Sequence, residues 1–120
     1  MKILIAEDEE MMLKTMEFKL NKEGFQVVAC SNGEDAMGKI VSENPDIIVT
    51  DINMPFVSGI DIVKKVKVEL KLNIPIIVLS AVGLEKTVLE AFDLGADDFI
   101  TKPFSPNELI VRVKRLLLSV

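Results

Sequence analysis

Apolar residues in this chain follow two rhythms. Five short runs rich in β-branched residues, at 2–6, 26–30, 46–51, 76–80 and 98–101, have the length and composition of buried strands. Between them the apolar positions recur three or four residues apart, the spacing of an amphipathic helix. The first such stretch, about 9–23, places Met12, Met16 and Leu20 on one stripe and stops at Gly24. The second, about 33–43, turns Ala36, Ile40 and Val41 inward and closes at Asn44-Pro45. The third, about 58–69, carries Ile62, Val63 and Val66; the fourth, about 84–94, runs into Gly95. A fifth helix is announced by Ser105-Pro106-Asn107-Glu108: an N-cap serine, a proline at the first helical position and a capping-box glutamate. Strict alternation of strand and helix predicts right-handed crossovers and a parallel sheet with helices on both faces. The expectation is an α/β fold, a doubly wound (βα)5 unit forming one domain over residues 1–120.

The polar residues that follow the strands change the picture. The first run meets Glu7-Asp8, the third ends on Asp51, and the fifth meets Lys102-Pro103. In a parallel open sheet the carboxyl ends of the strands share one edge, where ligands bind. Three carboxylates and one ammonium are thereby expected at one place. Two carboxylates about 4 Å apart repel by roughly 4 kcal/mol at an effective dielectric near 20, so the cluster calls for a cation. All-oxygen ligands favour Mg²⁺ over zinc. The plainer role for Glu7, Asp8 and Glu9 is to place negative charge at a helix start. Asn53-Met54-Pro55, with Ser58-Gly59 beyond, forms a turn able to aim a backbone carbonyl into the cluster, and Ser80 ends the fourth strand with a hydroxyl.

Composition narrows the partners. A net charge of −5, with 14 scattered basic residues and neither Trp nor Tyr, argues against nucleic-acid binding by this chain. No apolar stretch approaches the ~20 residues of a membrane span, and the N-terminus enters a strand directly, so a cytoplasmic location is expected. The lone Cys30 has no histidine anywhere in the chain to activate it and reads as a packed thiol.

Taken together, these residues resemble the receiver domain of bacterial two-component response regulators, and the resemblance spans the whole chain. It implies the flavodoxin-like strand order 2-1-3-4-5. Asp51, opening Asp51-Ile52-Asn53-Met54-Pro55, resembles the phosphoacceptor aspartate. Glu7 and Asp8 resemble the acidic pair that holds Mg²⁺ (or Mn²⁺ as a substitute), with Asp51 and the carbonyl of Asn53 as further ligands. Ser80 is similar to the Ser/Thr that contacts the phosphoryl oxygens, Lys102 to the lysine that pairs with them, Phe99 to the aromatic switch and Pro103 to the proline after the lysine. Glu7, Ser80 and Phe99 stand where aspartate, threonine and tyrosine are commoner in the family. The implied donor is a sensor histidine kinase or phosphotransfer protein, and the implied role is regulation rather than turnover of an external substrate.

The last helix adds an expectation about assembly. Leu109, Val113 and Leu116 suffice to pack on the sheet, while Ile110, Val111, Leu117 and Leu118 add apolar surface around Arg112 and Arg115. This resembles the fourth helix–fifth strand–fifth helix face through which receivers attached to winged-helix DNA-binding domains dimerise. A phosphorylation-linked homodimer with Asp97 or Asp98 paired to those arginines across a two-fold axis is expected. The end at Leu118-Ser119-Val120 is read as the start of a linker to an output domain. Three other readings share features. An aspartyl phosphohydrolase would want a general acid at Asn53, and a flavodoxin-type carrier would not place Glu7-Asp8-Glu9-Glu10 where a phosphate loop belongs. A receiver-like module used only for protein contacts would not need Asp51, Ser80 and Lys102 together.

Overall fold

A computed structural model describes residues 1–118; Ser119 and Val120, and with them the expected linker, lie outside the described residues. The order is β1 (Lys2–Ala6), α1 (Glu10–Lys22), β2 (Gln26–Cys30), α2 (Gly33–Glu43), β3 (Ile47–Asp51) and α3 (Gly59–Val63). Then follow β4 (Ile76–Ala81), α4 (Glu85–Asp93), β5 (Asp98–Lys102) and α5 (Pro106–Leu118). All strand pairs are parallel, and the sheet order is β2-β1-β3-β4-β5.

Alternation along each strand sorts the core into two halves. Leu4, Ala6, Ile48, Ile76 and Val78 face one side, against α2, α3 and α4. Ile3, Ile5, Ile47, Val49, Ile77, Leu79 and Ile100 face the other, against α1 and α5. Because both faces of the central strands are covered, β3 is buried at every position, which leaves the polar Asp51 enclosed at its end.

The helix faces depart from expectation in three places. In α1 the core stripe is Leu13, Met16 and Leu20, with Met12 at its margin. In α2 Val41 is 65% exposed, because the buried positions of that short helix end at Ile40. In α5 Ile110 is a core residue beside Leu109 and Val113, so the apolar surface left outside on this helix is smaller than its composition suggests. The third helix also changes pitch: after α3 the chain continues as a π-helical stretch, Lys64–Glu69. Its wider turn is closed by Leu70 N–H on Lys65 O at 2.9 Å.

The helix ends follow side-chain chemistry. Glu9 caps α1 by accepting from Met12 N–H, and Asn32 caps α2 by accepting from Asp35 N–H. Ser58 and Asp61 make a reciprocal capping box at α3. At α5 the Ser105 hydroxyl accepts from Glu108 N–H at 3.2 Å, but the Glu108 carboxylate pairs instead with Arg112 at 3.4 Å. Gly24 closes α1 at φ +95°, a conformation L side chains avoid.

Candidate functional site

The strand ends of β1, β3, β4 and β5 meet at the carboxyl edge of the sheet. Glu7 follows β1 directly; its N–H donates to Cys30 O at 3.1 Å, which holds the side chain inward and fully buried. One Glu7 oxygen accepts from Glu9 N–H at 3.1 Å. Asp51 closes β3 and is 7% exposed, whereas Asp8 is exposed at the rim. One carboxylate oxygen from each of Glu7, Asp8 and Asp51 lies within 4.8 Å of the others.

Lys102 completes the cluster. Its strand β5 is separated from β3 by β4, and the long side chain crosses β4 to reach both buried acids. Nζ donates to Glu7 Oε1 at 2.7 Å and to Asp51 Oδ2 at 2.9 Å. Burial alone would lower the ammonium's pKa, but hydrogen bonds and charge from Glu7 and Asp51 reverse this and the net shift is upward. Burial pushes the Glu7 carboxyl up to about 7, against the opposing pull of Lys102. The next peptide bond, Lys102–Pro103, is cis.

The donor set suits a small hard cation. Two ligands on opposite sides of an Mg²⁺ ion with ~2.1 Å bonds stand about 4.2 Å apart. The three carboxylate oxygens, all within 4.8 Å of one another, are close enough to converge on one such ion, with Asp8 open to solvent. Asn53 lies exposed on the loop after Asp51; that loop's own backbone hydrogen bonds, Val57 N–H to Pro55 O and Gly59 N–H to Ile52 O, run on either side of it.

Residues 3–114 of the sequence match the response regulator receiver domain. The chain belongs to that family. It is 40% identical over 116 residues to the alkaline phosphatase synthesis transcriptional regulatory protein PhoP of Bacillus subtilis, covering 97% of this chain and 48% of that protein. It is 44% identical over 115 residues to the response regulator SaeR of Staphylococcus epidermidis, covering 96% of this chain and 49% of that protein. The chain therefore spans about half the length of these curated relatives. Among solved structures, the receiver domain of a Francisella response regulator superposes with a TM-score of 0.89 at 34% identity, covering 97% of this chain and 95% of that one. The receiver domain of NtrX from Brucella abortus superposes with a TM-score of 0.90 at 26% identity, covering 98% and 99%.

In this receiver the remaining expected site residues flank the acidic cluster. Ser80 is buried near the end of β4, in register with Thr101, one step beyond the Asp51–Leu79 pair. It borders a cavity of about 320 Å³ lined also by Val88, Leu89, Phe92, Phe99 and Thr101. The Phe99 ring is 38% exposed and meets Phe92 edge-on, with centroids 5.9 Å apart. Cys30 is buried, and burial pushes its thiol pKa up to about 12.

Two features were missed in the sequence. Gly59 packs so closely that a methyl group there would overlap the carbonyl of Asp51; a glycine eight residues beyond the acid, after a capping serine, was the available signal. The second is an ionic network inside the chain. Asp98 Oδ1 accepts from Phe99 N–H and from Arg112, each at 2.8 Å, and Asp98 Oδ2 accepts from Arg115 at 3.0 Å. Arg112 also donates to Phe99 O at 3.1 Å. Asp97 pairs with Lys67 at 3.0 Å. The aspartates expected to reach across a dimer axis are thus bound within their own chain.

Proposed function

We propose that these 120 residues form one receiver domain in which Asp51 accepts a phosphoryl group from the phosphohistidine of a sensor kinase or phosphotransfer protein. A carboxylate oxygen of Asp51 attacks phosphorus, the P–O bond forms as the P–N bond to imidazole breaks, and the imidazole leaves with the electron pair. Lys102 then pairs with a phosphoryl oxygen, and Ser80 supplies a hydroxyl to another. Glu7, Asp8, Asp51 and the carbonyl of Asn53 would hold Mg²⁺, or Mn²⁺ in its place, which when bound neutralises charge on the transferring group. The chain turns over no external substrate; it is labelled and slowly loses the label.

The observation that carries this reading is Lys102 Nζ bonded to both Glu7 and Asp51 with Asp8 alongside. One ammonium and one divalent ion would neutralise the three acids and leave Asp51 positioned for an incoming PO₃ group. The phosphoryl group would draw the Ser80 hydroxyl toward it, and the Phe99 ring would turn into the neighbouring cavity. A phenyl ring fits a space of about 320 Å³ with room to spare.

The output face would be α4, β5 and α5, where phosphorylation favours a homodimer. Arg112 and Arg115 would have to exchange Asp98 of their own chain for acidic groups of a second copy, so dimerisation begins with a local ionic rearrangement. The output is proposed to be transcription through a DNA-binding domain, PhoP of Bacillus subtilis being named a transcriptional regulatory protein, or signalling as a stand-alone regulator. Among the described residues no helix is long and apolar enough to cross a membrane, which suits a cytoplasmic regulator.

The test is labelling by a small phosphodonor in the presence of Mg²⁺. Wild type takes up one phosphoryl group; Asp51→Asn takes up none, and chelation of the metal suppresses labelling of the wild type. Undiminished labelling of Asp51→Asn would refute the assignment.

A further inference from the structure

Phe56 combines two unfavourable features that the chemistry above does not use. Its ring is 95% exposed, and its backbone sits at φ +68°, a region bulky side chains avoid. The loop that carries it is fixed on both sides. A methyl group on Gly33 would overlap Val57, and one on Gly59 would overlap the Asp51 carbonyl. Ile52 and Met54 are buried, and Ser58 is locked in its capping box. The surroundings thus impose this conformation and hold a phenyl ring out in water. Such strain persists at sites where it serves a purpose.

The position says what that purpose is. Asp51 is only 7% exposed, so an imidazole on a donor protein reaches it only when the donor's surface rests on the loops around the carboxyl edge. Phe56 stands on one of those loops. Met11, 73% exposed, begins α1 after β1, and Val82, 79% exposed, follows β4, so neighbouring loops present apolar side chains too. Whatever delivers phosphohistidine must cover this rim during transfer.

We propose that Phe56 is a docking anchor for the protein phosphodonor, entering an apolar recess beside its phosphohistidine. This rests on the phosphoacceptor reading above. An aromatic ring carried on a fixed backbone has only two side-chain torsions to lose on binding, which favours it as the centre of a small interface. The ring acts by holding the donor in place and takes no part in the chemistry at Asp51.

The test compares Phe56→Asn, which accepts the same backbone conformation without the ring, with Phe56→Leu, which keeps apolar bulk. Each is labelled first by acetyl phosphate with Mg²⁺. Each is then labelled by the autophosphorylated histidine kinase that reacts fastest with wild type, among all those encoded in the same genome. Phe56→Asn should keep its acetyl phosphate rate within about twofold while kcat/KM for the kinase falls about tenfold to a hundredfold. Phe56→Leu should recover most of that loss. Equal falls with both donors would make Phe56 a shaper of the Asp51 loop and overturn the proposal, as would an unchanged kinase rate. A kinase defect matched by lost self-association in sedimentation would assign the ring to a second copy of the chain instead. Wild type labelled by acetyl phosphate but by no kinase would remove the protein donor and this proposal with it. Wild type labelled by neither would overturn the phosphoacceptor reading itself.

Discussion

Replacing Asp98 by asparagine removes one negative charge from between two arginines and leaves the side chain's shape intact. The Phe99 N–H keeps an oxygen to donate to, so the loss is confined to the ionic bonds. A charge-assisted hydrogen bond contributes about 1.5–3 kcal/mol net when well shielded. The Asp98 side chain is 12% exposed but Arg112 is 36% and Arg115 57% exposed, so solvent screening discounts both. About 1 kcal/mol for the Arg112 pair and about 0.5 for Arg115 give roughly 1.5 kcal/mol in all. For a chain of this size about 1 kcal/mol corresponds to roughly 4 °C, so Tm should fall by about 6 °C, read by circular dichroism at pH 7. The pH dependence has a definite sign. Burial would raise the Asp98 carboxyl, but Phe99 N–H, Arg115 and Arg112 together bring it below its ordinary value. The unfolded chain therefore binds this proton more readily. The stabilisation is fully present above the ordinary carboxylate range and fades as pH falls through the depressed value, where wild type and Asp98→Asn should converge. Combined with Arg112→Gln, the cycle should return a coupling of about 1 kcal/mol. A Tm within about 1 °C of wild type, or strictly additive substitutions, would refute the reasoning.

Gly59→Ala drives a methyl group into the Asp51 backbone, so it should cost about 2–3 kcal/mol in thermal unfolding and slow acetyl phosphate labelling; a variant as stable and reactive as wild type would contradict the close packing. With its pKa pushed up to about 12 by burial, the Cys30 thiol stays protonated at pH 8. Iodoacetamide should alkylate it roughly a thousandfold more slowly in the native chain than in urea, and comparable rates would deny its burial. Arg112→Glu combined with Arg115→Glu should weaken self-association of the phosphorylated, folded protein tenfold or more in sedimentation; unchanged association would exclude these arginines from the dimer face.

What could be read from the chain was whatever local chemistry alone decides. Strand cores such as Ile3-Leu4-Ile5 are apolar on both faces, and that run fits only the centre of a parallel sheet. The cluster of Glu7, Asp8, Asp51 and Lys102 was foreseeable because strand ends in such a sheet share an edge. The misses arose where tertiary packing chose between equivalent local options. Val41 and Ile110 are both apolar neighbours of a core position, yet one is exposed and the other buried, a choice made by what packs over each residue and not by its own sequence. Glu108 satisfied the capping-box pattern, yet Arg112 one turn away offered a charged partner and won. Charge partners across the sequence were beyond reach for the same reason: Asp98 precedes Arg112 by 14 residues, and nothing local distinguishes a bond within the chain from one to a second copy. The π-helical turn at Lys64–Glu69 has no signal in its residues that would separate it from α-helix.

Lys102 belongs to an edge strand, yet its ammonium ends at acids carried by two strands further in. Neighbouring strands lie about 4.8 Å apart, so this single side chain ties together most of the sheet's width. A slip of one residue in β5 would turn it to the opposite face, and undocking of that strand would withdraw it altogether. On the proposed chemistry, competence would be conditional on finished assembly: a copy whose edge strand had not docked would lack the ammonium beside Asp51 and would be a poor recipient of a phosphoryl group.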